Sequence, residues 1–152
     1  MERCNAFEHT TLHSTLVAVW VADPTLEAMR SFANELEKLW SRHRSGIQVL
    51  NIVGETTGIP DAPVRQLLSQ QFESMRGRLL CMAVAVEKEG VAGTMSRAVL
   101  STLLTITRRP FQMSVHFQRG QAAEWLAQQP NTPSAAQLLD VAASLDRRRG
   151  AA

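Results

Sequence analysis

The fold class expected from the sequence is α/β: a single domain built on a mainly parallel, mixed-edge sheet of four to five strands with covering helices, plus an extra C-terminal helix. Three observations predict it. The runs Leu16–Val21, Ile47–Val53 and Leu79–Val86 are near-continuously apolar, as strands buried on both faces are. Between them lie stretches whose apolar residues recur every three and four positions, the stripe of an amphipathic helix. At 152 residues the chain is long enough for one proper core and too short for two.

Residues 1–15 are mixed and polar, with room for one short edge strand. After Leu16–Val21, Asp23-Pro24 reads as a helix start, because Asp can accept from free helical N–H groups and Pro is preorganised for the first turn. Leu26, Met29, Phe32, Leu36, Leu39 and Trp40 form the first helical stripe, and Gly46 is expected to cap it in the left-handed conformation. Strand Ile47–Val53 follows. The turn-rich loop Gly54–Pro60 leads to Asp61, which stands where an N-cap belongs, and Val64, Leu67, Leu68, Phe72 and Met75 form a second stripe that Gly77 ends. Leu79–Val86 is almost wholly apolar and is expected at the sheet centre. A third helix is expected from near Thr94, with Val99, Leu103, Leu104 and Ile106 inward. Phe111–Phe117 alternates as a half-exposed edge strand does. A short helix over Gly120–Gln129 and a last one over 134–147, opened by Ser134, complete the chain. The domain division is thus an N-terminal segment 1–15, an α/β domain 16–129 and a C-terminal helix 134–147.

Composition narrows the function. Of 16 basic residues only Lys38 and Lys88 are lysine, the arginines are scattered, and the net charge is +2. That is too little to make nucleic acid or a membrane surface the main partner. No apolar run approaches the length of a membrane span, no signal region opens the chain, and two cysteines make no disulfide framework. The expected location is cytoplasmic. His9, His13, His43 and His116 do not cluster, so no metal site is expected. Nor is there a nucleophile elbow or a Cys–His pairing, and Cys81 in a core strand would be a poor nucleophile. No cofactor and no catalysis are expected. Gly90–Thr94 before a helix could hold an anion but matches no phosphate-loop pattern; Arg147-Arg148-Arg149 suits a helix C-terminus.

Three segments carry a family likeness. They are Ile47-Gln48-Val49-Leu50-Asn51-Ile52, the turn Thr57-Gly58-Ile59-Pro60-Asp61-Ala62-Pro63-Val64, and Arg78-Leu79-Leu80-Cys81-Met82-Ala83-Val84. In their order and spacing over residues 16–126 the chain resembles the anti-sigma-factor antagonist and sulfate-transporter (STAS) domains and their SpoIIAA-like relatives. The resemblance implies a non-catalytic regulatory or scaffolding module that binds a protein partner, with a second copy of the chain among the candidates. Regulatory members carry a phosphorylatable Ser after the turn's Asp. Here Asp61 is followed by Ala62 and Pro63, neither of which has a hydroxyl, so that switch is absent. The partner-binding surface is expected around residues 54–68, with Thr56, Thr57, Asp61, Val64 and Arg65 as its members. The bland account of Asp61 is a helix N-cap. The alternative function is a small-ligand or lipid-binding domain of the lipid-carrying SpoIIAA-like type, whose cavity would be lined by Met29, Phe32, Met75 and Met82; ordinary core filling accounts for the same methionines.

Overall fold

Strands that are apolar on both faces must lie inside a sheet with cover on each side, and this requirement organises the whole chain. The computed structural model describes residues 6–54, 57, 60–87, 98 and 111–150. Its elements run β1 (Phe7–Leu12), β2 (Thr15–Trp20), α1 (Leu26–Arg42), β3 (Ile47–Val53), α2 (Ala62–Ser74), β4 (Leu79–Val86), β5 (Gln112–His116), α3 (Arg119–Ala127) and α4 (Ala135–Gly150). The third helix expected from near Thr94 lies outside the described residues.

The five strands form one sheet in chain order, β1-β2-β3-β4-β5. β1 pairs antiparallel with β2 through a tight hairpin in which His13 takes a φ of 54°; all later neighbours are parallel. The expected edge strand in the N-terminal segment therefore exists. β3 holds the middle of the sheet, and β4, expected there, is the next strand along, still flanked on both sides.

Alternation along each strand divides the core in two. On one face Leu16, Ala18 and Trp20 of β2, Val49 of β3, Met82, Val84 and Val86 of β4 and Met113 of β5 pack under α1 and α2. On the other, Val17 and Val19, Leu50 and Ile52, and Cys81, Ala83 and Ala85 pack under α3 and α4. Fully burying one such aliphatic side chain is worth about 1.5–3 kcal/mol, so neither face is left bare without a large loss. The C-terminal helix, whose apolar stripe could have served self-association, is spent on this second face: Leu138, Ala142 and Leu145 are at most 1% exposed. At the sheet's outer edge Phe7 anchors β1, its ring 4.8 Å from Trp20 and 5.6 Å from Phe32.

Two helix ends differ from expectation. α1 is capped by Thr25, whose Oγ1 accepts from the Ala28 N–H at 3.1 Å, and Asp23-Pro24 precedes the cap. Both Asp23 and Thr25 are competent cap residues, and the helix begins at the one adjoining its first apolar position, Leu26. At the other end α1 stops at Arg42 with His43 as its C-cap, so Gly46 does not cap the helix. Gly46 instead turns the chain into β3 with a φ of +132°, its N–H donating to the His43 carbonyl at 3.1 Å. The reason lies across the sheet. Pairing passes from Ile47–Leu79 to Gln48–Cys81, so Leu80 is the extra residue of a bulge. Leu80 folds back against Gly46, where an added Cβ would stand 2.4 Å from its Cδ1. Gly77, expected to end α2, follows the C-cap Met75 in the turn, at a φ of 78°.

A charged knot joins the two helices of the second face to the sheet. Arg119, at the start of α3, donates from Nη2 to Glu87 Oε1 at 2.7 Å, just beyond β4, and from Nη1 to Asp146 Oδ2 of α4 at 2.6 Å. The hydrogen bonds that Arg119 donates to Glu87 outweigh burial and, with the one to Asp146, hold the guanidinium further above its usual pKa. Two predictions follow from these contacts. Gly46→Ala should cost about 1–3 kcal/mol in urea unfolding, from strained backbone and the Leu80 clash, whereas Gly77→Ala, with open space around the new methyl, should cost about 1 kcal/mol. Arg119→Met should cost about 1–3 kcal/mol by leaving two carboxylates unpaired, and Arg119→Lys should restore only part of it because a lysine cannot make the two-pronged pair with Glu87.

Candidate functional site

In a parallel sheet the loops leaving the carboxyl ends of the strands form the usual crevice. Here the exits of β2 and β3 lead into α1 and α2, and both helices start at the same edge. Thr25 caps the first; Asp61 caps the second, its Oδ1 accepting from the Val64 N–H at 3.1 Å, with Pro63 in the first turn. A shallow groove runs between the two starts. Asp23, Glu27 and Arg30 form one bank, Asp61 and Pro63 the other, and Val64 its floor. Among the described residues its charged side chains are three acids and one base, so the described banks are acidic.

The residues expected to bind a partner fall on different levels of this region. Asp61 is exposed and works as the helix cap. Arg65 is half-buried and donates from Nη1 to the Pro60 carbonyl at 2.7 Å, bracing the loop against its own helix. Val64 and Thr57 are each only 3% exposed, so they belong to the core beneath the groove. Thr56 lies outside the described residues. Ala62 and Pro63, in the first turn of α2, are both exposed.

Beneath the groove, between the sheet and helices α1 and α2, lies a cavity of about 90 Å³. Its walls include Trp20, Met29, Phe32, Met82 and Val84, with Asn51 and Thr57 as polar members, and among the described residues no charged side chain lines it. Asn51 Oδ1 accepts from Trp20 Nε1 at 3.1 Å, while its amide N–H meets only the sulfur of Met82 at 3.6 Å. Thr57 Oγ1 is buried with no hydrogen-bond partner among the described residues. Of the four residues expected around such a cavity, Met29, Phe32 and Met82 line it; Met75 does not, because it caps the far end of α2. Asn51 and Trp20 went unremarked as lining residues in the sequence. The available signal was a lone amide inside an otherwise apolar strand.

Other reactive side chains stand apart. Cys81 faces the second helical layer, and burial pushes its thiol up to about 11. His9 Nε2 lies 3.1 Å from Glu35, whose carboxyl burial pushes up but Lys38 and His9 together hold below its usual value. Among the described residues no group of His, Cys, Asp and Glu is placed to hold a metal ion, and no helix is long and apolar enough to cross a membrane. The chain matches no protein-family model and no curated protein.

Asp61→Ala should destabilise the domain by about 1 kcal/mol in denaturant unfolding, and Asp61→Asn, which keeps an accepting oxygen, by no more than a few tenths.

Proposed function

We propose that the chain is a non-catalytic, STAS-like regulatory or scaffolding module that binds a protein partner across the groove between the starts of α1 and α2. The observation that carries this reading is the convergence of two capped helix starts on one acidic, accessible edge of the sheet. The strand–helix–strand–helix–strand order on which the family resemblance rests supports it, with Asp61 at the head of the second helix. The partner's contacting segment is basic, since Glu27 and Asp61 outnumber Arg30 among the described residues of the banks. Control by phosphorylation in the first turn of α2 is absent from this reading, because Ala62 and Pro63 offer no hydroxyl. Thr57, the nearest described hydroxyl in the preceding loop, is buried away from a kinase.

The test is a double variant that changes charge while sparing both caps. Glu27→Lys with Asp61→Asn should lower the thermal midpoint by no more than about 4 °C, since a lysine in the first turn of α1 opposes the helix dipole. The variant should lose, by tenfold or more in affinity, a partner that the unaltered protein retains, and added salt should weaken the unaltered complex as it screens the contact. A partner held equally well by both proteins would remove the groove from the binding surface.

A further inference from the structure

The cavity under the groove has the composition of a small-molecule site. Its lining is overwhelmingly apolar, yet it contains two hydrogen-bonding groups that the protein does not satisfy well. Thr57 is 3% exposed and its hydroxyl has no hydrogen-bond partner among the described residues. Asn51 spends its carbonyl oxygen on Trp20 and turns its N–H toward a sulfur, a weak acceptor. Burying a hydroxyl without a partner forfeits its hydration for nothing in return, so a fold that keeps one invites an explanation.

We infer that this cavity binds a small uncharged molecule with an apolar body and a single hydroxyl or carbonyl oxygen, which pairs with Thr57 and the free side of the Asn51 amide. Size and charge both set the class. An apolar cavity of 150 Å³ takes up benzene, so about 90 Å³ suits a guest smaller than benzene. Sites for larger organic ligands occupy roughly 300–1,000 Å³, which places a lipid chain well beyond this space. The described lining favours a neutral guest, because among the described residues no charged side chain lines the cavity to offset the desolvation of an ion. The site lies below the groove and is independent of whether a protein docks above it.

Butan-1-ol is the direct probe, read by the methyl signals of ¹³C-labelled methionines. Met29 and Met82 line the cavity and Met75 does not, so saturable shifts should appear at the first two and not at the third. Thr57→Val keeps the shape and removes the hydroxyl; it should weaken binding about threefold to tenfold. Val84→Leu narrows the cavity from the opposite wall, should also weaken binding, and serves if the first variant fails to fold. Butanoate at the same concentration should leave the methionine signals in place. The assignment is overturned if butan-1-ol produces no saturable shift at Met29 and Met82, if Met75 moves equally, if butanoate binds as well, or if Thr57→Val binds as tightly as the unaltered protein.

Discussion

Everything in this fold answers to the two-sided burial of β2, β3 and β4. A strand such as Leu79–Val86 has no polar face to give to water, and seven of its eight residues are buried. Two helices per face are the physical answer, and the chain supplies them in two ways. Helices α1 and α2 arise as the links between successive parallel strands and cover one face as they form. The second face is covered by α3 and α4, which follow β5 in the chain. The small side chains Ala83, Ala85, Ala122 and Ala123 let α3 sit close to β4 there. Arg119 then ties both helices to the end of the same strand.

Most of this was legible in the sequence because burial leaves a periodic imprint. The three core strands, the two linking helices and the half-exposed Gln112–His116 strand all follow from spacing alone. What escaped was set by contacts across the chain. Gly46 looks like a helix cap until its neighbour Leu80 is known, and Leu80 is displaced by a bulge that no local pattern announces. Asp23 and Thr25 are equally plausible caps in the abstract; the position of Leu26 chooses between them. The destination of the C-terminal helix was open, since an apolar stripe states that it must be covered and not by what.

At the candidate site the same distinction holds. Asp61 was readable as a cap from its place before a helical stripe, and it is one. Thr57 and Val64, grouped with it because they adjoin it in sequence, sit a layer deeper: Thr57 in the loop before the cap and Val64 in the first turn of α2 are both turned into the core. The region thus divides into a charged rim that a macromolecule can reach and an oily chamber below it that only a small guest can occupy. Trp20 and Asn51, from neighbouring strands, connect the two halves of that chamber's wall through one hydrogen bond.

The placement of α4 has a temporal consequence. Because strand order follows chain order, most of the sheet can assemble as it leaves the ribosome, each strand joining the one before it. Yet the final helix packs against β1 and β2, the earliest strands to emerge. The face of these strands that α4 covers therefore stays wet until residues 135–150 have emerged, and a nascent chain stalled before residue 135 carries a greasy flank that chaperones or neighbouring polypeptides would find first.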